Sequence, residues 1–279
     1  MNHLPAPRQP SDADVRAAVV GLFDNIQPLA QGGQGAVYRA TPHGSSDEVA
    51  LKIYFGDQLD ERTAREIAAL KRLKGETIVR LHADGAIDIG GNTYNYIATT
   101  FIEGDVVSSV LALRQLSFTE IAAIGRDVAL AIDELWANDR IVHRDVKPSN
   151  VMLRPDGRAV LIDLGVARHL NLSPLTTAGK TWGTEGYMAP EHARGKTLSC
   201  KADVFALGVL LQECLLQRHP TGGRQILLMK GGLKTAALHP KTPADLAQFI
   251  DAMLDRSPGV RPTPRRVAEA LQAFIEANR

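Results

Sequence analysis

Apolar residues change their spacing several times along this chain, and each change marks an element. Residues 1–10 hold three prolines and no apolar run, a segment expected to be disordered or draped on a surface. Ser11 followed by Asp14 has the form of a capping box, and Val15, Ala18, Val19, Leu22 and Phe23 then recur at helical spacing. That pattern predicts a helix packed on its own domain, with a docking helix for a partner as the alternative. From residue 23 the period shortens to that of strands broken by glycine. One strand ends near Ala30, a second covers 36–40, a polar turn covers 42–47 and a third strand covers 48–54. A helix is predicted over 59–73, with Ile67, Leu70 and Leu73 on one face. Strands over 79–87 and 93–101 flank the turn Gly90-Gly91-Asn92, and a glycine-bearing linker over 102–105 ends the sheet-rich part. Beyond it the helical period dominates, over 106–113, 118–138, 200–217, 243–254 and 264–277. The expected fold is α+β and bilobal. Residues 1–22 form an N-terminal extension, 23–102 a small lobe of antiparallel sheet plus one helix, and 103–279 a larger, mainly helical lobe.

Composition changes this picture little but excludes several classes. A length of 279 residues suits one large domain or two lobes sharing a cleft. A hydrophobic share of 44% and a charged share of 23% are ordinary for a soluble globular chain. The formal net charge of +1 argues against a nucleic-acid binder, which would show a basic excess. Cys200 and Cys214 fall in one predicted helix, about 21 Å apart at helical rise, too far to bridge. A reducing compartment, the cytoplasm, is therefore expected. No secretory signal opens the chain, and its most apolar stretch, 204–216, is too short to span a bilayer. No membrane attachment is expected.

Chemistry concentrates in the stretch 143–165. His143, Arg144, Asp145, Lys147 and Asn150 share one short loop; a turn at Pro155-Asp156-Gly157 and a strand over 159–162 then deliver Asp163. Two carboxylates, a lysine and a carboxamide in one place can accept a proton from a hydroxyl, neutralise a phosphate and hold a hard cation. Upstream, the cluster 29–37 sets Gly32, Gly33 and Gly35 between two strands, where backbone amides can approach phosphate oxygens. A plain glycine-rich hairpin explains it equally well. On the third strand Lys52 lies among apolar neighbours, and a buried lysine demands an anion. Glu66 on the following helix supplies one, with Glu61 the competing candidate. No pair among the eight histidines suggests a metal site.

In that order these residues resemble the eukaryotic-type serine/threonine protein kinase family over approximately residues 23–275. The match comprises Gly32, Gly35 and Val37, the lysine of Val49-Ala50-Leu51-Lys52, a helical glutamate and the His-Arg-Asp loop through Asn150. It continues with Asp163-Leu164-Gly165, the segment 183–191 ending in Ala189-Pro190-Glu191, Asp203 and Arg261. The resemblance implies a protein-kinase-like bilobal fold that uses ATP and Mg2+. Gly32, Gly33 and Gly35 would cover the phosphates, Lys52 would hold the α- and β-phosphates and Glu66 would hold Lys52. Asp145 would orient and deprotonate the acceptor hydroxyl, Lys147 would neutralise the γ-phosphoryl group, and Asn150 and Asp163 would ligate magnesium. Val37 and Ala50 would lie above the adenine and Met152 below it. Thr99 would limit the rear of the pocket, and the backbone of Thr100, Phe101 and Ile102 would face the adenine edge. Leu70, Leu81, Leu164 and His143 would stack as a column, with His143 structural rather than catalytic.

The segment 183–191 decides the acceptor class within this resemblance, since small-molecule kinases share the aspartate–asparagine loop but lack it. Serine- or threonine-bearing proteins are the expected substrates, because Lys147 and Thr184 match the serine/threonine subgroup. Glu191 would pair with Arg261, and Asp203 would hold the catalytic-loop backbone. A catalytically silent nucleotide-binding scaffold is the main alternative and a small-molecule kinase the lesser one; Lys52, Asp145 and Asp163 argue against the first. The chain departs from the family pattern at three places. Ala30 replaces the first loop glycine, Leu164 replaces a phenylalanine, and 218–243 is short and polar, which puts substrate docking there in doubt. Arg144 beside Asp145 suits a phosphate-switched loop, with Thr176, Thr177 or Thr181 (and Ser173 nearby) as autophosphorylation candidates and self-association as a route to it.

Overall fold

The computed structural model describes residues 10–32, 35–55, 67–68, 70–138, 140–163, 168–169, 185–229 and 234–279. The chain divides into two units, one built from Met1–Lys71 and Val79–Ile102, the other from Arg72–Ile78 and Glu103–Arg279.

Alternation of residue type builds the first unit. Its sheet contains β1 (Phe23–Gly32), β2 (Gly35–Pro42), β3 (Val49–Tyr54), β4 (Leu81–Ile89) and β5 (Asn92–Thr100), in the spatial order β1-β2-β3-β5-β4 and antiparallel throughout. Ala36, Tyr38 and Ala40 on β2 and Val49, Leu51 and Ile53 on β3 are buried, while the intervening residues are only half-buried. One face of the sheet is thereby given to the core and the other is left half-buried. The core face is covered by a helix, Asp12–Ala18, whose Val15, with the C-cap residue Val19, is fully buried beside Phe23, Tyr38, Tyr94 and Tyr96. The predicted Ser11–Asp14 capping box is present, and Tyr38 donates its hydroxyl to Asp12 at 2.8 Å. The helical pattern runs further in sequence than in space: Leu22 is exposed, and Phe23 opens β1. β1 likewise runs to Gly32, past the predicted end at Ala30, and Gly32 pairs with Gly35 across the hairpin. Of the predicted helix 59–73, Ile67, Leu70 and Leu73 are described and buried.

The second unit is organised by the helix Phe118–Ala137, again opened by a capping box, here Ser117 with Glu120. Against it lie Cys200–Leu216 and Pro264–Ala277. The helix Cys200–Leu216 is buried almost all round, so it occupies the centre of the unit. Cys200 and Cys214 are both buried free thiols, and burial pushes Cys200 up to about 11. The helices Val107–Leu113 and Ala244–Met253 complete the predicted set within a residue or so. Not foreseen were the short helices Pro190–Ala193, Gln225–Met229 and Thr235–Leu238. Two small sheets carry the loops: β6 (Asp105–Val106), β8 (Val151–Leu153) and β9 (Ala159–Leu161) form one, and β7 (Ile141–Val142) with β10 (Arg168–His169) the other.

Candidate active site

The hairpin of β8 and β9, with the loop before it, gathers Asp145, Lys147, Asn150 and Asp163, while Lys52 lies on β3 of the first unit. β7 ends at Val142, and the chain passes through 143–147 into a short 3-10 turn, Pro148–Asn150, before β8. Ile162 then donates its amide to the Asn150 carbonyl at 2.9 Å, which brings Asp163 alongside Asn150. Within the loop the Asp145 carboxylate takes the Lys147 ammonium at 2.8 Å. Asn150 Nδ2 donates to the same carboxylate oxygen at 2.9 Å and to the Asp145 carbonyl at 2.8 Å. The three side chains therefore hold one another, as a group that must act at one point requires.

The loop is strained, and a buried acid holds the strain. Arg144 and Asp163 adopt φ values of 70° and 62°, the left-handed region that non-glycine residues rarely occupy. Each such residue costs on the order of 1–3 kcal/mol. Asp203, 1% exposed, accepts the backbone N–H of His143 and of Arg144, both at 2.8 Å. These two bonds fix the backbone at Arg144 and at the residue before it, and hold the loop in this conformation. Burial pushes the Asp203 carboxyl upward; His143, Arg144 and the two amide donors oppose that shift. His143 is fully buried and accepts the Asp145 amide on Nδ1, which suits a supporting residue. Asp127, buried on the central helix, anchors β9 by accepting the Ala159 amide at 2.9 Å.

Glu191 and Arg261 form the expected pair, bidentate at 2.6 and 2.8 Å, with Arg261 1% exposed. The guanidinium also donates to the carbonyls of Asp255 and Lys201 and stacks 4.8 Å from the Phe205 ring. Four hydrogen bonds thus satisfy this buried charge, the kind of satisfaction under which such a pair is tolerated.

In the first unit Val37, Ala50 and Lys52 share the half-buried face of the sheet, Val37 directly opposite Lys52. The lysine is half-buried rather than buried as the sequence suggested, and its ammonium lies 4.9 Å from the Tyr54 ring. Gly35 has a structural reason of its own: a Cβ there would meet the Ile53 carbonyl oxygen at 2.2 Å. Thr99 is buried beside Ala50 in register. The amide of Thr100 is bonded to the Arg80 carbonyl, and that of Phe101 to the Glu48 carbonyl.

The donor set fits a hard cation. Asn150 spends both side-chain amide hydrogens on Asp145, which turns its side-chain oxygen Oδ1 to the role of a possible metal ligand, and Asp163 carries a second carboxylate. Among the described residues no group of three or more His, Cys, Asp or Glu could hold a metal. Two oxygen donors of this kind would hold a hard cation only together with phosphate and water oxygens.

Comparison with known proteins agrees with this geometry. The protein kinase domain family matches residues 23–273. The chain belongs to the protein kinase domain family. It is 31% identical over 254 residues to the serine/threonine-protein kinase PknD of Mycobacterium tuberculosis, a match covering 86% of this chain and 38% of that protein. To PknA of the same species it is 28% identical over 263 residues, covering 88% and 59%. To the probable serine/threonine-protein kinase PkwA of Thermomonospora curvata it is 32% identical over 269 residues, covering 92% and 34%. This kinase domain thus corresponds to between about a third and three-fifths of the length of these relatives.

Several expected positions lie outside the described residues: Gly33, Glu61, Glu66, Leu164, and the segment with Ser173, Thr176, Thr177, Thr181 and Thr184. Asp127 shows in the sequence only as an acid on an otherwise apolar helix face, and nothing in the pattern singles out His219 or Gln225. Among the described residues no helix is long and apolar enough to cross a membrane.

Proposed function

We propose that this kinase domain, residues 23–279 with 1–22 as an extension, transfers the γ-phosphate of ATP to serine and threonine hydroxyls of protein substrates. The observation that carries the reading is the Asp145 carboxylate held by both Lys147 and Asn150. Asp145 orients the acceptor hydroxyl and accepts its proton. Lys147, already 2.8 Å from that carboxylate, balances charge on the transferring phosphoryl group. Lys52 holds the α- and β-phosphates under the backbone of Gly32, Gly33 and Gly35, with Glu66 as its partner. Val37, Ala50, Met152 and Thr99 bound the adenine. Because the amides of Thr100 and Phe101 are engaged within the sheet unit, the base meets the carbonyls of this stretch and the Ile102 amide. Asn150 and Asp163 hold Mg2+, which when bound neutralises the phosphate oxygens.

The serine/threonine assignment is supported by Lys147 in the loop and by the names of the relatives. A cytoplasmic setting is supported by two buried, unpaired thiols. Autophosphorylation at Thr176, Thr177 or Thr181, read out by Arg144 and aided by self-association, belongs to the same proposal; phosphopeptide mapping after incubation with Mg-ATP tests it, and a segment without phosphate refutes it. The test of the whole is transfer of label from γ-labelled ATP to a serine/threonine peptide mixture. Asp145→Asn should lower the rate about 10²–10⁴-fold, and Lys52→Ala should raise the KM for ATP. Equal transfer by wild type and Asp145→Asn would refute the assignment, and a wild type that binds ATP without transfer would be a scaffold.

A further inference from the structure

Resting on the reading of 183–191 as the platform for an acceptor peptide, we propose that the polar turn after the helix Cys200–Leu216 positions that platform, with His219 and Gln225 as positioning residues for the peptide.

Two backbone carbonyls and one side chain of the segment 186–188 are held from this side. His219 Nε2 bonds the Gly186 carbonyl at 2.8 Å. Gln225 Nε2 donates to the Met188 carbonyl at 2.6 Å. Between them Tyr187 donates its hydroxyl to Glu213 and sets its ring edge-on to His219, centroids 4.9 Å apart. The imidazole tautomer follows from its own surroundings. Nδ1 accepts the amides of Thr221 at 3.2 Å and Gly223 at 2.9 Å, so the proton sits on Nε2 and is donated to Gly186. His219 therefore ties the turn 219–223 to the platform through its two ring nitrogens. Gly186 closes the fit: a Cβ there would come within 2.8 Å of His219 Nε2 and 3.1 Å of the Gly223 Cα. A chain without these bonds would leave two carbonyls next to Tyr187 unanchored, and the backbone that an extended peptide must meet would lose its fixed geometry. The short polar stretch that cast doubt on substrate docking is, on this reading, what holds the docking surface.

Two substitutions separate the roles of the ring nitrogens. Glutamine places a donor where Nε2 lies, and asparagine places an acceptor where Nδ1 lies. In steady-state assays with one serine peptide and Mg-ATP, His219→Gln, which keeps the Nε2 donor and loses the Nδ1 acceptor, should raise the peptide KM by no more than about threefold. His219→Asn and Gln225→Glu should raise the peptide KM about five- to tenfold, the worth of one hydrogen bond, with the KM for ATP within about twofold. Thermal unfolding run alongside identifies any variant that does not fold, and the remaining variant then decides. The proposal is overturned if His219→Asn behaves as wild type while His219→Gln does not. Unchanged peptide KM values, or equal rises for peptide and ATP, overturn it too. Wild type that phosphorylates no peptide would instead sink the kinase reading, and this inference with it.

Discussion

The two units reach order by different means. Among the described residues of the first, buried polar side chains are few: Asn95 and Thr99 stand among aliphatic and aromatic residues of β2–β5 and the helix that covers them. In the second, Asp127, His143, Asn150, Glu191, Asp203, Gln212 and Arg261 are all buried, and nearly all serve loops rather than helices. Period-2 packing suffices for the sheet, because a one-residue slip would turn every apolar side chain to solvent. A loop has no register to slip. Its conformation is held only where a buried donor or acceptor would otherwise go unpaired, so the catalytic loop, the Glu191 turn and the 186–188 segment each depend on a polar anchor.

This contrast can be broken by mutation. Arg261→Ala should cost the most, about 3–5 kcal/mol, because it strands the Glu191 carboxylate in the interior; denaturant unfolding measures it. Should it cost no more than an apolar truncation in the sheet unit, buried charge would not be what distinguishes the second unit. Val15→Ala supplies that truncation, with an expected loss of about 1.5–3 kcal/mol from lost burial and the cavity left behind. The smallest effect should come from Tyr38→Phe, which removes one hydrogen bond at the rim of the sheet unit and should lower stability by about 0.5–1.5 kcal/mol. A larger loss than for Val15→Ala would mean that the helix Asp12–Ala18 is held by its polar contact with Tyr38 rather than by Val15 and Val19.

Much of the fold was legible because its signals are local. The Ser11 capping box, the strands read over 36–40 and 48–54 and the helix over 264–277 each rest on signals a few residues long, and the structure reproduces them. The errors came where a local pattern continued beyond its element. Phe23 fits the helical spacing begun at Val15, yet its place in the core is as the first residue of β1. Lys52 was read as buried from its apolar neighbours in sequence, but those neighbours alternate to the other face of the strand.

In the candidate site, the sequence alone placed Asp145, Lys147 and Asn150 within one short loop, but six residues can extend to about 20 Å, and it is the 3-10 turn Pro148–Asn150 that closes Asn150 back onto Asp145. Asp203 and the Glu191–Arg261 pair could be named only through family resemblance, for no periodicity links residues 60 or 70 positions apart. His219 and Gln225 could not be named at all. Which distant side chain answers a buried carbonyl depends on which element is packed beside it. That is decided by the tertiary structure, where hydrophobic pattern settles what is buried but a hydrogen bond must find a particular atom within about 3 Å and in line.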